Sequence, residues 1–431
     1  EAPRSADTLT VRDHIVLVDT SASQNGEHRV QALATLDAFL ANLAEGSRFR
    51  LFAVDVAPQE LTQGLTATTG TAADRARALL ARRAPLGATD LGRALQTSLD
   101  VAKNARNASV LYIGDGVSGL RLIPAERLQA LVEEFRTSKV PVTSYAIGPR
   151  RDLQLLGVLA NWTGGNVVLD DGASNARVLG ATLAQTAEQT VVYLSDVVAE
   201  PGETKLLPAT TLPLRGDRAT VYLSRGVAPT SFAAQSGKDV IRWSVSAASP
   251  NADNAFLSTL TQRVEQSAID SPFAGEQMLT AAQDAFARRI DQLSALGDAA
   301  LLDRDLQQAA EFGKAIHSLD PTNGQADRLL NSAAKFQTIS QVTQPADPNA
   351  PTADATTQQK TGSLIAEIEV LQDIKTQQFQ SIVARTIQEV RKVAEEDPDA
   401  ALSTLKRAIG AVKSAEDIDP DQRIALAKRL Q

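Results

Sequence analysis

Three short pieces of this 431-residue chain carry side chains able to do chemistry together. Asp19-Thr20-Ser21-Ala22-Ser23 directly follows the apolar run His14-Ile15-Val16-Leu17-Val18. Thr89 lies in Gly87-Ala88-Thr89-Asp90, immediately before a helical pattern. Asp115 lies in Gly114-Asp115-Gly116, directly after Ser109-Val110-Leu111-Tyr112-Ile113. Brought together, Asp19, Ser21, Ser23, Thr89 and Asp115 would form an all-oxygen set suited to a hard cation: Mg²⁺, or alternatively Ca²⁺ or Mn²⁺. The set contains no imidazole or thiolate, which disfavours structural zinc. A single Asp-x-Ser-x-Ser is a weak signal, because Asp and Ser after a strand also serve as turn and N-cap residues. The weight comes from three pieces in order, each at the end of an element.

The elements that must position them follow from periodicity. Residues 14–18, 49–56, 109–113, 140–147 and 166–169 read as strands, several of them continuous apolar runs of the kind buried on both faces. Helical spacing covers 30–43, with Val30, Leu33, Leu36, Leu40 and Leu43 on one stripe. It recurs over 74–82, 91–103, 124–138, 152–162 and 175–189. This alternation predicts an α/β fold: a doubly wound, mainly parallel sheet with helices on both faces, spanning residues 11–187. Such sheets bind ligands at the carboxyl ends of their strands. The first and third pieces end strands there, and a loop opening a helix at the same edge can add Thr89.

Asp19-Thr20-Ser21-Ala22-Ser23, Thr89 within Gly-Ala-Thr-Asp-Leu and Asp115 within Ile-Gly-Asp-Gly resemble the complete metal-ion-dependent adhesion site of von Willebrand factor A domains. The resemblance covers residues 11–187. It implies that Ser21, Ser23 and Thr89 contact the metal directly or through water. Asp19 and Asp115 would be close, partly water-mediated anionic ligands, and a carboxylate from a protein partner would complete the coordination. It also implies a shift of the last helix, around 175–189, coupled to partner binding.

After residue 187 the pattern changes. Residues 188–250 read as a small antiparallel β module, with strands over 191–198, 206–214, 219–224 and 239–245. Residues 254–340 are helical, and Gly297 to Pro321 resembles one tetratricopeptide-type hairpin, although an ordinary helical hairpin explains the same pattern. Residues 341–361, with Pro345, Pro348 and Pro351, read as a linker. Residues 362–431 read as a C-terminal helical segment. The β module and these helices are the expected contacts of a homo- or hetero-oligomer.

Hydrophobic residues make up 43% of the chain and charged residues 22%, which permits ordinary cores. Aromatics are only 4%, so those cores must be aliphatic. The net charge of −8 without a basic tract argues against a nucleic-acid partner. Cysteine is absent, which removes disulfides and thiol chemistry. No apolar run reaches the roughly 20 residues that span a bilayer. The start at Glu1 without Met fits a processed chain. Together with the likeness of the extensions to those of bacterial surface proteins, this gives an expected extracytoplasmic, bacterial location.

Catalysis is not expected. A strand ending in Asp19 and a later Gly-Asp-Gly also resemble haloacid-dehalogenase-type phosphatases, but Ser21 stands where their acid/base Asp would be. The three histidines do not form a catalytic arrangement with a serine, and no phosphate-cradling loop is present. The reading is a metal-dependent protein-binding module. Its alternative is a structural subunit of a bacterial surface or envelope assembly, in which this domain is one interlocking piece.

Overall fold

The computed structural model describes residues 11–342, except 171, 173, 201, 203 and 247–253, together with 420–429 and scattered positions between 383 and 412. It divides into two compact units, residues 1–284 and 285–431.

The first unit is built on β1 (Asp13–Asp19), β2 (Arg48–Val54), β3 (Gln59–Glu60), β4 (Thr66–Ala67), β5 (Ser109–Gly114), β6 (Val142–Ala146) and β7 (Val167–Leu169). The strand order is β3-β2-β1-β5-β6-β7, with β4 also on β2. The pairs from β2 through β1, β5 and β6 to β7 are parallel, and only the short β3 and β4 run antiparallel. Six helices connect them: α1 (Gly26–Asn42), α2 (Thr71–Arg82), α3 (Leu91–Ala102), α4 (Ala125–Thr137), α5 (Leu153–Thr163) and α6 (Ala176–Glu188).

The two faces follow from strand alternation. Ile15 and Leu17 of β1 join the core made with Leu95, Leu99, Phe135 and Leu156 of α3, α4 and α5. Val16 and Val18 point to the other side and pack with Leu36, Phe39, Leu80 and Leu183 of α1, α2 and α6. A strand buried on both faces must be apolar at every position between its ends, as β1 is from Ile15 to Val18. The order also reverses at β1: the chain moves outward to β2, then crosses back to β5. The crevice at such a reversal lies beyond the carboxyl ends of β1 and β5, where Asp19 and Asp115 sit.

The remainder of this unit holds β8 (Val191–Val192), β9 (Asp196–Glu200), β10 (Lys205–Leu207), β11 (Leu214–Arg215), β12 (Leu223–Arg225), β13 (Ser231–Ser236) and β14 (Asp239–Ser244). They form three small antiparallel sheets, β10-β12, β11-β8 and β14-β13-β9. The sequence pattern indicates fewer and longer strands: 191–198 divides between β8 and β9, 206–214 between β10 and β11, and β13 is not anticipated. Its Ser-Phe-Ala-Ala-Gln-Ser lacks the β-branched alternation that marks a strand. The module is pinned by Arg215, which donates to Gly164 O at 2.8 Å and Thr186 O at 2.6 Å, at the carboxyl ends of α5 and α6. A guanidinium there satisfies orphan carbonyls and meets the negative end of the helix dipole. Beyond it, α7 (Phe256–Gln266) leads to a stretch in which Asn161 donates to Ser271 O at 2.9 Å, and Ile269, Ala274 and Met278 enter the sheet core.

The second unit is helical. The division falls within α8 (Glu276–Leu302), followed by α9 (Leu306–Leu319) and α10 (Gly324–Val342). Leu301, Ala309, Ile316, Leu329 and Phe336 form its core. Residues 297–321 cover the end of α8 and the whole of α9, with Asp305 capping α9 through Gln308 N at 3.0 Å. α11 (Pro420–Arg429) contributes Leu426 and Ala427 to a small cluster with Val383 and Val412. α10 runs to Val342, two residues into the expected linker, whose remainder lies outside the described residues, as does most of 362–431. Among the described residues no helix is long and apolar enough to cross a membrane.

Candidate metal centre

Each piece of the motif sits on a loop that its own backbone fixes. After β1 the chain turns at once: Asp19 Oδ1 accepts from Ser21 N at 2.8 Å, which is why an Asp two residues before a Ser ends the strand. Ala22 N donates to Gly87 O at 3.0 Å and Leu86 N to Thr20 O at 3.0 Å, which ties the 86–90 loop to the first loop. Asp90 caps α3 through Arg93 N at 3.0 Å, leaving its neighbour Thr89 turned inward. Asp115 Oδ1 accepts from Val117 N at 2.9 Å, the same Asx turn that Asp19 makes.

All five side chains meet. Thr89 Oγ1 donates to Asp19, standing 3.0 Å from Oδ1 and 3.1 Å from Oδ2. Ser21 and Ser23 share a hydroxyl contact of 3.0 Å, and Ser23 Oγ donates to Asp115 Oδ2 at 2.6 Å. Asp19, Ser21, Thr89 and Asp115 are each at most 5% exposed. Among the described residues neither carboxylate has an ion-pair partner; every donor named is a hydroxyl or a backbone amide.

The electrostatics follow. Burial raises the pKa of Asp19 above the usual carboxylate range, and the nearby Asp115 adds to the rise, while hydrogen bonds from Ser21 and Tyr112 oppose it. Two acids are thus held close together out of water with only neutral donors, an arrangement that costs free energy until a cation balances it. Each hydroxyl that donates keeps lone pairs for a metal. The chemistry of the donor set, two carboxylates and three hydroxyls, fits a hard divalent ion. Among the described residues no cluster of three or more His, Cys, Asp or Glu suited to a metal occurs.

Two glycines make the approach possible. A Cβ on Gly114 would lie 2.5 Å from Asp19 Cβ and 2.4 Å from Tyr112 Oη. Gly148, at φ +136°, would place one 2.9 Å from Asp115 Cβ. One supporting residue is not readable from the motif. Tyr112 Oη donates to Asp19 Oδ2 at 3.0 Å and accepts from Gly116 N at 3.1 Å, so it braces both acidic loops. Burial and the neighbouring Asp19 push its phenol pKa well up, keeping it a donor. Its only signal in the sequence is a polar-tipped residue two positions before Gly114 on an otherwise apolar strand. Of the histidines, His14 lies at the opposite end of β1, its Nδ1 2.8 Å from Ser109 Oγ, and makes no part of the site.

Residues 13–169 match a family model described as the von Willebrand factor type A domain. The doubly wound domain is a domain of that type, by this match. No curated protein matches the chain. Among solved structures it is similar to a von Willebrand factor type A protein from Catenulispora acidiphila, at 15% identity over 79% of this chain and 84% of that one, with a TM-score of 0.40. It is also similar to the ArnB paralogue VWA2 from Sulfolobus acidocaldarius, at 11% identity over 76% and 84%, with a TM-score of 0.33. A third is proximal thread matrix protein 1 from the mussel byssus, whose structure has a zinc-occupied metal-ion-dependent adhesion site, at 17% identity over 42% and 49%, with a TM-score of 0.34.

Proposed function

We propose that this chain is a non-enzymatic binding protein whose first domain holds one divalent cation through Asp19, Ser21, Ser23, Thr89 and Asp115. Mg²⁺ is the expected ion, with Ca²⁺ and Mn²⁺ as alternatives. The observation that carries the reading is the hydrogen-bonded set of three hydroxyls, Ser21, Ser23 and Thr89, around two buried carboxylates, Asp19 and Asp115, that have no basic partner among the described residues. When bound, the ion supplies a Lewis-acidic position open to a carboxylate of a protein partner. Asp19 and Asp115 supply the negative charge that attracts the ion. Ser21, Ser23 and Thr89 supply neutral ligands, which leave the ion electrophilic toward an incoming Asp or Glu. Tyr112 holds Asp19 in place by its hydrogen bond. The expected setting is a bacterial, extracytoplasmic one.

Isothermal titration calorimetry of the full chain with Mg²⁺, Ca²⁺ and Mn²⁺ tests this. One site per chain is expected, abolished by Asp19→Asn and weakened at least tenfold by Thr89→Ala, with circular dichroism unchanged. An absence of binding heat for all three ions, with none detected by equilibrium dialysis, rules the reading out.

A further inference from the structure

The loops that carry the five candidate ligand side chains, and the loop after β2 beside them, also carry exposed side chains, and these are distributed unevenly. Val56, Leu86, Val117, Leu120 and Leu122 are all exposed, Leu86 at 68% and Leu122 at 85%. Apart from Val30, Leu79 and Val178, no other large aliphatic is so exposed on residues 11–187. The five belong to loops that touch on the Thr89 side of the site. A Cβ on Gly87 would meet Val56 Cγ2 at 3.4 Å, and one on Gly119 would meet Ala88 Cβ at 3.5 Å. Leu120 N donates to Thr89 O at 3.1 Å. An apolar patch at a polar site is a mark of macromolecular contact, because water alone gives no reason to keep it.

The Asp115 side differs. Gly148 abuts Asp115 and Gln24, and the chain continues through Pro149 into exposed Arg150 and Arg151. Arg93, on the first turn of α3, and Arg121, between Leu120 and Leu122, are exposed as well, on the Thr89 side. The chain as a whole carries a charge of −8, so four exposed arginines at one sheet edge run against its average. They complement an acidic partner and would speed its approach.

We propose that this edge recognises a protein segment in which one Asp or Glu is flanked on one side by large aliphatic or aromatic residues and on the other by further carboxylates. The central acid would meet the cation, the apolar flank would cover Leu86, Leu120 and Leu122, and the acidic flank would lie along Arg150 and Arg151. This rests on the metal-site reading above and adds to it the sequence chemistry of the partner.

The test is to pan a phage-displayed random peptide library on the full chain in Mg²⁺, elute with EDTA, and measure Mg²⁺ uptake by calorimetry in parallel. Peptides released by EDTA are expected to carry an acid with large apolar residues concentrated on one side of it. A synthetic copy of the enriched peptide should bind the Leu120→Ser/Leu122→Ser variant about tenfold or more weakly, because two leucines lose their cover. It should bind Arg150→Ser/Arg151→Ser a few-fold more weakly, with a shallower salt dependence, while both variants take up Mg²⁺ normally. If Mg²⁺ uptake is intact but EDTA releases no peptide, or releases acidic peptides without apolar enrichment, the inference fails and the metal site stands. Unchanged binding by the leucine variant overturns it in the same way. If no ion is taken up, the inference and the metal reading fall together.

Discussion

Asp13 and Asp19 open and close the same strand, and both are buried, yet they are handled in opposite ways. Asp13 receives a two-pronged guanidinium from Arg48, at 2.9 and 2.7 Å, and the Arg106 amide at 2.7 Å. Burial pushes its pKa up, but these donors outweigh it and hold the carboxyl below its ordinary range. Asp19 receives two hydroxyls and an amide, no cation, and its pKa moves up. Burial alone therefore does not mark a functional acid. What distinguishes the two ends is charge balance: the amino end of β1 is neutralised by protein, and the carboxyl end is left for something else.

The sharpest way to break this contrast is the same conservative change at both ends, read in EDTA. Asp13→Asn removes the buried acid of an ion pair whose guanidinium is half-exposed, together with its bond to the Arg106 amide, and should lower the urea midpoint clearly. Asp19→Asn removes an unbalanced buried charge and should leave stability unchanged or raise it. Urea denaturation measures both, and equal losses would show that the two acids are held alike. Nearly as large is the response to ion. At a hundredfold excess over its Kd, Mg²⁺ should stabilise the native chain by about 2.7 kcal/mol and Asp19→Asn not at all. Thermal scans with and without EDTA that superimpose for the native chain would remove the site from consideration.

The two ends were also unequally legible. The parallel strands and the six helices between residues 13 and 188 follow from apolar runs and helical stripes, since a doubly wound sheet imposes both on its sequence, whereas the two-residue antiparallel β3 and β4 carry no such pattern. The five candidate oxygen ligands stand out because they sit at element ends in a fixed order. Tyr112 does not, since a strand pattern cannot tell a phenol aimed at Asp19 from one packed in the core. The small strands of the β module are equally opaque. β8 and β11 have two residues each, and Arg215 holds the module at helix ends that lie far away in sequence. Local propensity carries no trace of such a tertiary cause.

Tyr112→Phe sharpens the comparison at the carboxyl end. The ring remains and the packing with it, but Asp19 Oδ2 loses a donor and Gly116 N loses an acceptor. Residues that orient metal ligands typically contribute ten- to hundredfold in affinity, and one hydrogen bond here places the expected loss near tenfold, about 1.4 kcal/mol. Calorimetry with Mg²⁺ reads it directly. A full-affinity variant would mean that the Asx turn at Ser21 suffices to aim Asp19.

The smallest effect belongs to the amino end. His14 is fully buried between Ser109, Phe39 and Glu188, whose Oε1 stands 3.7 Å from Nε2, too far for a hydrogen bond. Burial lowers its pKa below 6.5, and Arg12 adds to that, although Glu188 and Asp13 oppose it. The imidazole therefore takes up its proton at a lower pH in the fold than in the unfolded chain. Stability must fall as pH drops through about 6.5, with a slope of at most about 1.4 kcal/mol per pH unit for one proton. Asp13 and Glu188 are held below ordinary values of 3.8 and 4.5, so their stabilising contributions are complete above those values and are lost only in stronger acid. The window between pH 6.5 and 5 separates His14 from them. Urea denaturation across it, compared with His14→Gln, should show a steeper decline in the native chain. Parallel lines for the two proteins would mean that the histidine protonates as freely inside the fold as outside it, and that the amino end tolerates an added charge after all.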